Sequence, residues 1–132
     1  LGTWRLNIAK SKFDPGPGPK ELTRIHEDAG GGQIRVTTKT VGQDGSAGST
    51  TYTYRPDGKE VPVTGGRGAG PASIAITGVD AYTVTFTQRV AGKEVGTGKR
   101  VVSKDGKTMT ISTTGTNAQG QKTSSMQLFE KQ

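Results

Sequence analysis

His26 is the only histidine in the sequence, so any acid/base chemistry that needs an imidazole depends on it. Glu27 and Asp28 follow it directly, which places two carboxylates nearby in sequence. Neighbouring side chains of a strand point to opposite faces, so Glu27 cannot form a dyad with His26 if this stretch is extended. We favour a partly exposed strand histidine. The alternative is an acid/base catalyst, with His26 or a tyrosine such as Tyr54 as the acting group.

Other catalytic and metal-binding motifs are missing from the sequence. Asp44-Gly45-Ser46-Ala47-Gly48 comes nearest to a serine-nucleophile motif, but it lacks the first glycine and is predicted to be a turn. The glycine-rich residues 65–70 fit no phosphate-binding pattern. They are predicted to form a mobile loop, at the mouth of the β-barrel that the strand pattern predicts below. With one histidine, no cysteine and scattered aspartates, we expect no metal and no cofactor.

Aromatic and apolar side chains at alternating positions are the strongest remaining signal. A pocket for a small molecule is usually lined by such side chains together with a few polar groups. The same residues could instead fill the core. The hydrophobic content is only 29%, which favours a pocket that holds water over a wholly apolar interior. The candidate ligand-binding residues are Arg24, His26, Val36, Tyr52, Tyr54, Tyr82, Phe86, Gln88, Met109, Gln127 and Phe129.

Short strands separated by turns must position these residues. Alternating stretches between glycine-rich and Asp-Gly turns predict about ten strands, with no helical period. The first, residues 1–8, places Trp4, Leu6 and Ile8 on one face, and Trp4 is expected to seal one end of the fold. Three prolines within residues 9–20 predict an extended loop there.

Two further stretches refine the strand prediction. Residues 82–90 alternate most clearly and are predicted to form a two-faced strand. Gly96 and Gly98 share one face of the predicted strand 94–103, which indicates strong curvature or a bulge.

Closure of these strands into a barrel would remove the bare edges of a flat sheet. A sandwich is the alternative, but it needs a long crossover, for which only residues 9–20 and 64–71 are candidates. The sequence therefore predicts one all-β domain over residues 1–132, a single antiparallel up-and-down β-barrel of about eight to ten strands.

Two short motifs stand at the ends of the chain, Gly2-Thr3-Trp4-Arg5-Leu6 at the start and Leu128-Phe129-Glu130-Lys131 at the finish. They resemble the first and last strands of the calycin superfamily. Gly2-Thr3-Trp4-Arg5-Leu6 resembles the opening of lipocalins and fatty-acid-binding proteins, and Leu128-Phe129-Glu130-Lys131 resembles the closing strand of the latter. The middle of the chain, with Gly115-Thr116-Asn117-Ala118-Gln119-Gly120-Gln121, is similar to small lipocalin-like bacterial proteins. The resemblance implies a calycin-type barrel that binds a small ligand.

Two departures separate the sequence from fatty-acid-binding proteins. Those proteins have a two-helix lid after the first strand, where this chain has a Pro-Gly stretch too short for such a pair. Their closing strand holds the ligand carboxylate with an arginine and a tyrosine, whereas the matching positions here are Gln127 and Phe129. We therefore expect a carrier or scavenger of a small, mostly apolar ligand. The alternative is a small β-barrel enzyme, an isomerase, lyase or hydrolase.

The net charge of +7 is spread along the chain, with no basic run longer than Lys99-Arg100. This is typical of a basic surface rather than of a nucleic-acid footprint, although a surface-interaction protein is a third interpretation.

No apolar stretch approaches the roughly 20 residues that span a bilayer. We expect a monomer, with a dimer as the alternative, and no specific nucleic-acid partner. A chain that begins at Leu1 favours a trimmed or mature form, and an extracytoplasmic location, periplasmic or secreted, is expected.

Overall fold

The computed structural model describes residues 2–14, 19–65, 72–116 and 120–132. Within these ranges the chain forms eleven β-strands and one short 3-10 helix. The elements are β1 Gly2–Leu6, the 3-10 helix Ile8–Lys10, β2 Lys12–Asp14, β3 Glu21–Gly30, β4 Gln33–Val41, β5 Ala47–Tyr54, β6 Asp57–Gly65, β7 Ala72–Gly78, β8 Thr83–Val90, β9 Lys93–Val102, β10 Thr108–Thr116 and β11 Lys122–Lys131. No helix in these ranges has the length and apolar character needed to cross a membrane.

Ten of the strands form a closed antiparallel barrel. From β3 to β11 each strand pairs with its neighbour in sequence, and β1 closes the circle by pairing with both β3 and β11. The short β2 pairs with β11 beside β1, with Phe13 opposite Ser125. This meander confirms the predicted up-and-down barrel and excludes the sandwich, because consecutive strands are spatial neighbours from β3 to β11 and β1 closes the circle between them.

The turns alternate between two ends of the barrel. The connections β3–β4, β5–β6, β7–β8 and β9–β10 lie at one end, which we call the Tyr82 end after the residue just before β8. The connections β4–β5 and β8–β9 lie at the other, which we call the Gln88 end. β6 ends with Gly65 at this second end, and the rest of the predicted glycine-rich loop, residues 66–70, lies outside the described residues.

The start of the chain differs from the prediction. β1 ends at Leu6, and Ile8 begins the 3-10 helix and is 42% exposed. The Asn7 side chain accepts a hydrogen bond from the Lys10 backbone N–H, which caps the helix and ends the strand, so Ile8 does not share the inward face of Trp4. The predicted loop over residues 9–20 also contains β2, and its Pro-Gly part at 15–18 lies outside the described residues.

Two clusters of buried side chains fill part of the barrel. The first contains Trp4, Leu6, Met109, Ile111 and Phe129, and the second contains Val36, Tyr52, Tyr54, Ile74 and Ile76. Phe86 is partly buried and packs against both clusters. The clusters therefore hold the walls together without filling the whole interior.

A close contact between β8 and β9 depends on glycine. A Cβ atom at Gly98 would overlap the Ser112 carbonyl oxygen and the Phe86 ring, so the ring lies directly on the glycine. The β8–β9 register shifts between Gln88 and Arg89, opposite the Gly96 region, which confirms the predicted irregularity.

The Asp44-Gly45-Ser46 segment is a turn, as predicted. Gly45 has a φ of +83°, a value that favours glycine, and Asp44 Oδ1 accepts a hydrogen bond from the Ser46 backbone N–H at 2.9 Å. The serine is therefore a turn residue between two strands and has no nucleophile geometry.

Candidate functional site

Five polar side chains meet inside the barrel and form what we call the arginine layer. They are Arg24 and His26 of β3, Tyr52 and Tyr54 of β5, and Arg100 of β9. Residues two apart on a strand share a face, which brings each pair inward together. In the register, Val36 of β4 lies between His26 and Tyr52, so the side chains from β3 and β5 reach the same level of the barrel.

Arg24 is held by two neighbours in the layer. Its Nη2 donates to the Tyr52 hydroxyl at 3.1 Å, and its Nε donates to His26 Nε2 at 3.4 Å. The guanidinium carbon lies 5.9 Å from the centroid of the Phe129 ring, within range of a cation–π contact. Arg24 is only half-buried because it borders a cavity.

Arg100 repeats this arrangement on the other side of the layer. Its Nη2 donates to the Tyr54 hydroxyl, and its guanidinium carbon lies 5.6 Å from the Tyr54 ring centroid. Only 8% of Arg100 is exposed. The rings of Tyr52 and Tyr54 are 5.9 Å apart at a tilt of 44°, which joins the two arginine–tyrosine pairs into one layer.

No acidic side chain in the described residues accompanies the two arginines. Each aspartate and glutamate whose side chain is described is exposed, and the ion pairs they form, such as Arg5–Glu21, lie on the outside. Moving a charge out of water costs several kcal/mol unless a partner compensates for it, and like charges add repulsion. The arginine layer therefore has the electrostatics of an anion site.

His26 is neutral and positions Arg24. Burial lowers the pKa of His26 to about 2, and the positive charges of Arg24 and Arg100 act in the same direction. The expectation of a partly exposed histidine is wrong: His26 is 7% exposed and faces the interior. Since its Nε2 lone pair accepts from Arg24, and its pKa is far below neutrality, His26 is poorly suited to general-base work.

Burial also lowers the pKa of Arg24, and the charge of Arg100 acts in the same direction, while the nearby Tyr52 opposes it. Arginine nevertheless stays protonated in proteins. The layer thus keeps both positive charges at neutral pH, and an anion placed between them would lower their mutual repulsion.

A cavity of about 340 Å³ opens towards the Gln88 end, and we call it the Gln88 cavity. Its walls are largely apolar, with Leu22, Ile74, Ile76, Phe86 and Ile111 among them. Its inner end is the arginine layer, represented by Arg24, Tyr52 and Arg100. Apolar walls with a few polar groups at one end are the usual composition of a small-molecule pocket.

A second cavity of about 280 Å³ lies on the other side of the layer, and we call it the Tyr82 cavity. Trp4, Ile34, Tyr54, Val102 and Met109 line it, together with His26, Arg100 and the turn before β8. The prediction that Tyr82 belongs to β8 is wrong, because the strand begins at Thr83. Tyr82 lies in the turn, is 45% exposed and forms part of the rim.

The structure distributes the predicted ligand-binding residues over four places. Four of them form the arginine layer: Arg24, His26, Tyr52 and Tyr54. Phe86, Gln88 and Gln127 line the Gln88 cavity, with Gln88 exposed at its rim, and Tyr82 and Met109 line the Tyr82 cavity. Val36 and Phe129 have no exposed surface and belong to the core clusters, where Phe129 supports Arg24.

Arg100 is the central residue that the sequence analysis missed. The sequence contained one indication of its position. Arg100 lies two residues beyond Gly98 and four beyond Gly96, so all three share one face of β9. In the register it lies opposite Val84 and Ile111, two side chains of the Gln88 cavity. Its neighbour Lys99 is exposed. The Lys99-Arg100 pair, which the sequence suggested was part of a basic surface, therefore has one side chain outside the barrel and one inside.

The outside of the barrel carries a concavity that is larger than either interior cavity. This concavity of about 1310 Å³ is lined by short hydroxyl side chains such as Thr85, Ser112 and Thr114, which are exposed. In the part of the chain that the structure describes, no three histidine, aspartate or glutamate side chains gather as metal ligands would. Lys12, Lys99 and Met126 also line this concavity and are exposed to solvent. The arginine layer differs from it because its charges lie in the interior, beside apolar walls.

Comparison with known proteins identifies the fold. The crystal structure of a point mutant of the fluorescent protein UnaG superposes with a TM-score of 0.62, covering 100% of this chain and 95% of that chain at 12% identity. It is one of 15 matching solved chains. No protein-family model and no curated protein matches the sequence. The barrel is thus of the calycin type, as the two ends of the chain indicate, and at this identity the likeness shows the fold alone.

Proposed function

We propose that this protein binds a small, mostly apolar molecule that carries an acidic group, in the Gln88 cavity. The observation that carries the proposal is the pair of interior arginines, Arg24 and Arg100, which have no acidic partner among the described side chains. They lie at the inner end of an apolar cavity. The ligand would therefore enter with its acid first and leave its apolar part along the walls.

The chemistry of the layer suits a carboxylate. Guanidinium groups donate paired hydrogen bonds to carboxylate oxygens, and such charge-assisted bonds are shorter and stronger than neutral ones. Tyr52 and His26 hold the Arg24 guanidinium from two sides, so little side-chain freedom remains to be lost on binding. A binding protein is favoured over an enzyme that uses His26, since the basic nitrogen of this residue is occupied by Arg24.

Matched ligands test the proposal. Decanoate and decan-1-ol have the same chain length and differ in charge, and calorimetric titration would give both affinities. A charge-assisted hydrogen bond contributes about 1.5–3 kcal/mol, so decanoate should bind roughly 10- to 100-fold more tightly than the alcohol. Arg24→Met should remove most of this difference. The control Arg35→Met changes an exposed arginine on β4 and should keep it.

Two results would contradict the proposed function. One is the absence of saturable binding of either compound by the wild-type protein. The other is equal affinity for decanoate and decan-1-ol, which would mean that the arginines do not contact the acidic group.

A further inference from the structure

We infer that the Tyr82 cavity is a second binding site, which takes a small aromatic acid independently of the Gln88 cavity. The inference goes beyond the proposed function, because it concerns a different cavity at the opposite end of the barrel. Its basis is the way in which the arginine layer divides the interior, and the fact that an arginine and a tyrosine face each side of the layer, Arg24 and Tyr52 on one side and Arg100 and Tyr54 on the other.

The two cavities are separate spaces. Of their lining residues they share only Val84 and Arg100. Arg24 and Tyr52 border the Gln88 cavity and not the other, whereas His26 and Tyr54 border only the Tyr82 cavity. The hydrogen bond from Arg24 to His26 runs between the two sides, so the layer acts as a partition.

The Tyr82 cavity has a cationic group at its inner end, the side chain of Arg100, which both cavities share. Arg100 is more than nine-tenths buried, bonds to the Tyr54 hydroxyl and has no acidic side chain beside it in the described residues. Asp80 lies at the rim, where its carboxylate accepts the Tyr82 backbone N–H at 2.8 Å and is exposed. An acid that passes the rim therefore meets positive charge and a phenol at the inner end.

The walls favour an aromatic molecule of modest size. Trp4, Ile34, Val102 and Met109 line the cavity, and the exposed ring of Tyr82 lies at its rim. Its volume of about 280 Å³ is near the lower end of ligand pockets, which begin at roughly 300 Å³. A one- or two-ring acid fits these walls better than a long flexible chain, and aromatic faces pack favourably on Trp4 and Tyr82.

Trp4 makes the test direct, because it is the only tryptophan and gives a single indole N–H signal in a ¹H–¹⁵N NMR spectrum. The probe is 2-naphthoate, added to protein already saturated with decanoate. We expect the Trp4 signal to shift saturably, while the side-chain amide signal of Gln88 stays in place. The uncharged 2-naphthalenemethanol should require at least a tenfold higher concentration for the same shift.

Two matched variants locate the site. Val102→Phe fills the Tyr82 cavity, and Val63→Phe fills the Gln88 cavity, and both valines are partly buried. Val102→Phe should abolish the naphthoate response of Trp4 and leave decanoate binding intact, and Val63→Phe should do the reverse. The remaining amide signals report whether each variant keeps the wild-type fold.

The outcomes separate this inference from the proposed function. No saturable shift of Trp4, or a shift that decanoate competes away, would overturn the second site. A Trp4 shift in a protein that does not bind decanoate would support the second site and contradict the proposed use of the Gln88 cavity.

Discussion

The charge of Arg24 in the arginine layer is not balanced by a negative charge among its contacts. Arg24 contacts a neutral histidine, a tyrosine and a phenylalanine ring, none of which carries a negative charge. A partly buried cation whose contacts are all neutral keeps much of the free-energy cost of leaving water, because no opposite charge compensates for it. Arg24 and His26 should therefore both affect the stability of the protein.

Replacing Arg24 with methionine should stabilise the protein in the absence of a ligand. The change removes an uncompensated interior charge. The two groups that lose a hydrogen bond each border a cavity that water can enter, the Tyr52 hydroxyl at the Gln88 cavity and His26 at the Tyr82 cavity. We expect the free energy of unfolding to rise by about 1 kcal/mol or more. Urea denaturation would measure it, with Arg35→Met, within about 0.5 kcal/mol of wild type, as the control. A destabilised Arg24→Met variant would contradict the account.

His26 should make the protein sensitive to mild acid. Its pKa is about 2 in the folded state and near 6.5 in the unfolded chain, so below pH 6.5 the unfolded state binds an extra proton. Stability should therefore fall as the pH drops through this range, by about 2 kcal/mol between pH 7 and pH 5. Ordinary carboxyl groups titrate below this window, which isolates the single histidine.

The matched variant for this pH dependence is His26→Gln, whose amide oxygen can still accept the hydrogen bond from Arg24. It should show a much flatter stability profile between pH 7 and pH 5 in urea denaturation. A wild-type protein with equal stability at both values would contradict a buried, neutral His26.

Individual strands could be predicted well from the sequence, because inward and outward side chains alternate along them. The predicted strand over residues 33–41 coincides with β4, and the phase of Met109 and Ile111 on β10 is confirmed by their burial. The prediction that the first strand extends to Ile8 was wrong, because the Asn7 side chain caps a 3-10 helix and ends the strand. Arg100 was missed because alternation shows which residues share a face, and glycines on that face do not reveal whether it points inward.

The contact between Gly98 and Phe86 gives a prediction at the level of the strands. Gly98→Ala would place a Cβ against the Ser112 carbonyl oxygen, which cannot move away without shifting β10. Overpacking of this kind typically costs about 1–3 kcal/mol, and we expect a loss of unfolding free energy in that range by urea denaturation.

Gly48→Ala on β5 is the control for this change, because nothing lies within 4 Å of its added Cβ atom. It should stay within about 0.5 kcal/mol of wild type. If the two alanine variants were equally stable, the close packing of β8 on β9 would be contradicted.

At the scale of the whole molecule, the barrel brings together groups that are far apart in sequence. Arg24 and Arg100 are 76 positions apart and border the same cavity because the meander closes into a barrel through β1. The fold type could be inferred from strand count and the two chain ends. The site could not, because it depends on which inward residues reach the same level of the barrel, and this is set by the register between strands.

The orientation of a bound acid inside the Gln88 cavity shows whether the interior arginines bind its acidic group. A crystal structure with 10-bromodecanoate would locate the bromine by anomalous scattering and the carboxylate by electron density. The account predicts the carboxylate within hydrogen-bond distance, about 3 Å, of the Arg24 or Arg100 guanidinium, and the bromine near Gln88 at the mouth. A bromine against the arginine layer, with the carboxylate in solvent, would contradict it.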